Sequence, residues 1–102
     1  MTKPWAVYIM SNAAHTLYTG ITNDLPRRVQ EHKQRKFANA FTARYTFTRL
    51  VWYEFVESQE DAAAREKQIK RWTRARRVAL IQKMDPNWSD LTPSVCELLM
   101  LR

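Results

Sequence analysis

The chain has 102 residues, of which 45% are hydrophobic and 26% charged, a globular composition sized for one domain with a modest core. Seventeen Lys and Arg against ten Asp and Glu leave a net charge of +7, which favours a polyanionic partner, nucleic acid or an anionic surface. A single glycine excludes the Gly-rich loops of ATPases and dinucleotide-dependent enzymes, so no nucleotide cofactor is expected, and one cysteine with two histidines argues against a disulfide or a closed zinc centre.

Residues 5–10 (WAVYIM) are a short apolar run rich in β-formers and read as a buried strand. A polar connection follows, and then residues 17–22 (LYTGIT), a strand with Gly20 inside it, the mark of a bulge or of close backbone approach. The two strands form an antiparallel hairpin. Asn23 and Asp24 supply an N-cap and Pro26 suits a first helical turn. Leu25, Val29 and His32 share one face of the resulting helix, predicted to run to about Lys36. Residues 37–48 read as an irregular connection, and residues 50–56 (LVWYEFV) are the clearest strand in the chain. Ser58 and Asp61 resemble a capping box opening an Ala-rich helix through about Trp72. Thr73 caps a third helix, to which Val78, Leu80, Ile81 and Met84 give the apolar contribution.

The order ββαβαα implies an α+β fold: a small three-stranded, mainly antiparallel sheet flanked by helices, over residues 1–86. Residues 87–102 form a tail that ends in a Leu/Met patch, expected to pack on the domain or on a partner. The N-terminus lacks the apolar segment of a signal peptide and no apolar run reaches membrane-spanning length, so a soluble cytoplasmic protein without a membrane partner is expected.

The charge is concentrated. Residues 65–77 hold seven basic groups and one acid, residues 27–36 hold five and one, and the remainder of the chain is net acidic. Two basic helices in an otherwise acidic chain are a nucleic-acid footprint. Arg27, Lys33, Arg35 and Lys36 on the first helix, and Lys67, Lys70, Arg71, Arg74, Arg76 and Arg77 on the later two, are the expected phosphate contacts. Trp72, between Arg71 and Arg74, could stack on a base but reads better as an interhelix anchor. Glu66 shares a helical face with Ala62, Ala63, Ile69 and Lys70, so its carboxylate is directed at the sheet, where it needs a cation, a metal or a strong hydrogen-bond partner. Arg28 is the simplest such partner, in a structural ion pair. Arg28 and His32 lie one turn apart, and Tyr8 and Tyr18 stand on adjacent strands with hydroxyls able to meet on one face.

Residues 6–8 (AVY), with Tyr18-Thr19-Gly20 beginning ten residues after Tyr8, resemble the paired motif that names the GIY-YIG nuclease superfamily. Residues 21–32 (ITNDLPRRVQEH) are similar to its Arg-bearing helix and residues 64–72 (AREKQIKRW) to its Glu-bearing helix. The likeness spans residues 5 to about 82 and follows the small stand-alone YhbQ-like bacterial subgroup. Ala6 and Val7 replace the Gly and Ile of the first motif, and the region of Phe41 lacks a glycine often found there. By position, the resemblance implies Tyr8, Tyr18, Arg28, His32 and Glu66 as the catalytic set, with Arg28 chosen over Arg27 because it directly precedes Val29. It further implies divalent-metal-dependent hydrolysis of DNA phosphodiester bonds, with branched or damaged structures as candidate substrates. Glu66 would hold one Mg²⁺ or Mn²⁺ ion, Arg28 would stabilise phosphate charge, and Tyr8, Tyr18 and His32 would position or deprotonate the attacking water, with the base unassigned among the three. The rival expectation is a non-catalytic nucleic-acid-binding module that retains the fold.

Overall fold

The computed structural model describes residues 4–34 and 47–100. Arg35, Lys36 and the connection expected from residue 37 onward, Phe41 included, lie outside the described residues apart from Phe47 and Thr48. The elements are β1 (Trp5–Ser11), β2 (Leu17–Thr22), α1 (Leu25–Lys33), β3 (Arg49–Val56), α2 (Gln59–Lys70), α3 (Arg74–Met84) and α4 (Thr92–Met100). The sheet order is β2-β1-β3 and both pairings are antiparallel, so the fold is α+β as the element order implies.

β1 is the central strand, and that explains its uninterrupted apolar run. Ala6, Val7, Tyr8, Ile9 and Met10 are all fully buried, because helices cover both faces of the sheet. Alternation sends Ala6, Tyr8 and Met10 to one side, with Leu25 and Val29 of α1 and Val95 of α4. Val7 and Ile9 go to the other, with Ala62 and Ile69 of α2 and Ile81 of α3. The one irregularity is a bulge opposite β1 between Ile9 and Met10, where β3 accommodates an extra residue. Gly20 lies in unbroken register across from Tyr8, so of its two sequence readings close approach is the one realised.

The caps follow the sequence closely. Asp24 accepts from the Arg27 backbone N–H, Ser58 from Asp61 and Thr73 from Arg76, each satisfying a donor that a helix start leaves open. Two helices end earlier than periodicity suggests. Gln34 caps α1 with its N–H turned back to the Gln30 and His32 carbonyls, and Arg71 closes α2 one residue before Trp72.

α4 packs on the domain, with Leu99 against the core, whereas Leu98 and Met100 of the Leu/Met patch are exposed. Val95 of α4 is buried in the core shared with α1, and Asp90 ties the junction together. One Asp90 oxygen accepts from the backbone N–H groups of Leu50 and Thr92, both at 3.1 Å, while the other meets Lys33 Nζ at 2.7 Å. Burial of Asp90 opposes ionisation, but the bonds from Lys33, Thr92 and Leu50 together outweigh it and hold its carboxyl below the usual value. The stability this supplies is full above the ordinary carboxylate range and is lost as pH falls through the lowered folded value. Asp90→Ala should lower unfolding stability by about 1–3 kcal/mol in urea denaturation near neutral pH, since it leaves a strand-start and a helix-start donor without their acceptor. Among the described residues no helix is long and apolar enough to cross a membrane.

Candidate active site

Tyr8 is the centre of the site, and its placement depends on Gly20. A Cβ added at Gly20 would sit 2.8 Å from the Tyr8 hydroxyl, 2.9 Å from its Cζ and 3.1 Å from Tyr18 Cε1. The Tyr8 ring therefore crosses the backbone of β2 where a side chain is missing. Its hydroxyl meets His32 Nε2 at 2.8 Å, a buried bond joining β1 to α1. Tyr18, from β2, sets its ring edge-on to His32 at 4.7 Å between centroids and lies 6.3 Å from the Tyr8 ring. Phe47 closes the aromatic wall, 5.7 Å from Tyr18 and 6.5 Å from His32.

Burial is the main force on both titrating groups. It raises the Tyr8 phenol far above its ordinary value, with Tyr18 and Glu66 adding to the rise and the hydrogen-bonded Arg28 guanidinium opposing it. Burial also lowers His32 below 6.5, helped by Arg28 and opposed by Glu31. At neutral pH the pair is thus an intact phenol beside a neutral imidazole. The favoured arrangement has the Tyr8 O–H donating to Nε2.

Arg28 reaches the Tyr8 hydroxyl from the start of α1, and Glu31 steadies it at 3.6 Å while also lying 3.7 Å from Arg27. Glu66 approaches from α2, close enough for its charge to act on Tyr8. Its side chain is 24% exposed, because of its stripe neighbours Ala62 and Ile69 are buried whereas Ala63 and Lys70 are exposed. The carboxylate is therefore at the margin of the buried stripe and not beneath it. Glu66 pairs with Lys70 at 3.3 Å and Arg28 with Glu31, each within its own helix. Tyr8, Tyr18 and His32 thus meet from β1, β2 and α1, with the charges of Arg28 and Glu66 acting on the Tyr8 hydroxyl. Thr22, Asn23, Asp24, Arg27, Arg28 and Glu31 line an adjoining polar cleft of about 230 Å³.

Of the expected phosphate contacts, Arg27, Lys67, Lys70, Arg71, Arg74 and Arg76 are exposed. Lys33 is held by Asp90, and Arg77 is half-buried with its Nε lacking a hydrogen-bond partner. Trp72 is an anchor: it packs on the α2/α3 core with the Arg65 and Arg76 guanidinium groups 5.3 and 4.3 Å from its ring centroid. Sequence reasoning missed Glu31 and Phe47. The i+3 and i+4 spacing of Glu31 from Arg28 and Arg27 was a usable signal; Phe47, brought in from beyond α1, had none.

Among the described residues no group of three or more His, Cys, Asp or Glu side chains is placed to cage a metal. Glu66 offers a hard, partly exposed carboxylate oxygen. That donor set suits Mg²⁺ or Mn²⁺ carrying most of its own water, and it does not suit a dehydrated or soft ion.

The GIY-YIG catalytic domain family matches residues 4–79. The chain is 38% identical over 77 residues to a UPF0213 protein of Syntrophus aciditrophicus, covering 76% of this chain and 88% of that one. It is 35% identical over 78 residues to the UPF0213 protein YhbQ of Escherichia coli, covering 76% and 77%. A UPF0213 protein of Bacillus halodurans, solved in solution by NMR, is 32% identical over 76% of this chain and 82% of that one, with a TM-score of 0.49. A family match over residues 4–79 settles the lineage: the chain belongs to the GIY-YIG family, whose catalytic domain is of nuclease type.

Proposed function

We propose that the protein is a divalent-metal-dependent endonuclease hydrolysing DNA phosphodiester bonds, with branched or damaged DNA as its candidate substrate. The observation that carries this is the 2.8 Å bond between the Tyr8 hydroxyl and His32, set in a cluster that also feels the charges of Arg28 and Glu66. Phosphoryl transfer demands positioning and charge stabilisation more than covalent participation, and the cluster supplies both. Arg28 is the permanently charged group that stabilises the extra negative charge on the scissile phosphate. Glu66 would hold the single Mg²⁺ or Mn²⁺ ion, which when bound supplies Lewis-acid stabilisation of that phosphate.

The raised pKa of Tyr8 bears on the identity of the base. A phenol this hard to ionise does not act alone, but it can pass its proton to His32 Nε2 while taking one from the attacking water. His32 is then the terminal acceptor and Tyr8 the relay, with Tyr18 fixing the imidazole edge. The expected cleavage–pH profile rises through a midpoint below 6.5 and stays high toward neutrality, because the depressed pKa keeps His32 neutral there. His32→Gln should remove that acid limb and lower the rate by about 10²–10³-fold. The same depression makes folding stability full above 6.5 and reduces it as pH falls through the lower folded value.

Nicking of supercoiled plasmid and of branched duplexes, with Mg²⁺ or with chelator, tests the proposal. Metal-dependent nicking lost in Glu66→Ala and Arg28→Ala is expected. Salt-sensitive binding with no cleavage of any substrate would instead assign the non-catalytic binding module.

A further inference from the structure

We infer that His15 is a stacking platform for an unpaired nucleobase, placed beside the basic face of α3; this rests on the nucleic-acid reading above and adds a contact outside the catalytic cluster. His15 stands in the β1–β2 turn, and its ring stacks on Trp88 with centroids 4.4 Å apart and planes 19° from parallel. Trp88 is only 7% exposed and belongs to the α2/α3 core, whereas His15 is exposed. Trp88 covers one face of the imidazole, and His15 is otherwise exposed among the described residues. Among the described residues every other aromatic side chain is buried or half-buried, so this is the one exposed ring.

The ring is held there by unusual means. His15 and Trp88 both adopt left-handed backbone, with φ of 60° and 54°, a region costly for any residue with a Cβ and most of all for a bulky one. The Asn12 side-chain oxygen accepts from the Ala14 and Thr16 N–H groups at 3.0 and 2.9 Å, fixing the turn from within. Arg74, the first residue of α3, donates to the His15 carbonyl at 2.7 Å, fixing it from outside. Two strained residues from two separate connections thus meet to present a flat ring that hydrophobic burial would not have left in solvent. Arg74, whose guanidinium bonds the His15 carbonyl, places a positive charge beside the ring, where the phosphate flanking a stacked base can meet it.

A base within a duplex has both faces covered by its neighbours, so an open ring selects bulged, flapped or single-stranded nucleotides. The test is binding in chelator, where no cleavage occurs, by fluorescence anisotropy with three probes: a blunt duplex, the same duplex carrying a one-base bulge, and a single strand, each as DNA and as RNA. His15→Asn keeps a residue tolerant of left-handed backbone but removes the ring. It should weaken binding of the bulged and single-stranded probes by about tenfold and leave the blunt duplex unchanged. His15→Phe should bind as the wild type does. His15→Lys, which adds charge without a ring, should steepen the salt dependence without restoring the preference for unpaired bases. Loss in either sugar form supports the platform, and the form that shows it names the substrate. Equal binding of bulged probe by wild type and His15→Asn, or a His15→Phe as weak as His15→Asn, overturns the platform and leaves the nuclease proposal standing. Failure of the wild type to bind any probe removes the nucleic-acid reading itself, and the platform with it.

Discussion

Glu66→Gln is expected to lower metal-dependent DNA cleavage by about 10³-fold while the protein stays folded and still binds DNA. The size follows from the chemistry assigned to the carboxylate, since Lewis-acid stabilisation of phosphate charge is worth several kcal/mol, at about 1.4 kcal/mol per tenfold in rate. The structural cost runs the other way. Glu66 pairs with Lys70 one turn along the same helix, and a partly exposed pair at this spacing contributes only about 0.3–0.5 kcal/mol. Catalysis and stability should therefore separate cleanly in this variant. Thermal unfolding should move by no more than a few degrees, and DNA affinity should hold or rise slightly, because one negative charge leaves a basic surface. Mn²⁺ binding followed calorimetrically should be lost in parallel with activity. A Glu66→Gln protein that nicks plasmid at the wild-type rate would sink the assignment of the metal ligand.

Gly20→Ala should damage both stability and cleavage. The backbone at Gly20 is ordinary extended strand, so the objection to alanine is space and not conformation. A Cβ 2.8 Å from the Tyr8 hydroxyl and 2.9 Å from Cζ cannot coexist with the ring, and the ring belongs to a fully buried residue. It must lift, and lifting lengthens the 2.8 Å bond to His32. Overpacking of this kind costs about 1–3 kcal/mol. A displacement of about 1 Å at a proton-transfer pair costs about 10²-fold in rate. Urea denaturation and plasmid nicking should report the two losses together. Wild-type behaviour in both would mean that the Tyr8 ring has somewhere else to go.

Much of this was legible in one dimension. The apolar run at residues 5–10, the Ser58 and Thr73 caps and the Asp24-Leu25-Pro26 helix start are local signals, and local physics realised them. The convergence of Tyr8, Tyr18, Arg28, His32 and Glu66 was legible only through family resemblance, because nothing in helical or strand periodicity says that α1 and α2, on opposite faces of a sheet, address the same tyrosine. What the sequence concealed was contact between distant segments. Lys33 reads as a free basic group, yet Asp90 lies 57 residues away and claims it. Gly20 reads equally as a bulge or as a close approach, and only the register with Tyr8 decides between them. His15 looks like an ordinary loop histidine until Trp88 is placed beneath it.

The hydroxyl at the heart of the site is carried by the strand with neighbours on both edges and helices over both faces. Amides of such a strand exchange with solvent only when the whole domain opens. Tyr8 therefore has no soft local mode by which it can leave His32 ahead of global unfolding. The temperature at which the Tyr8–His32 pair is lost should coincide with the melting of the sheet, with no earlier inactivation step.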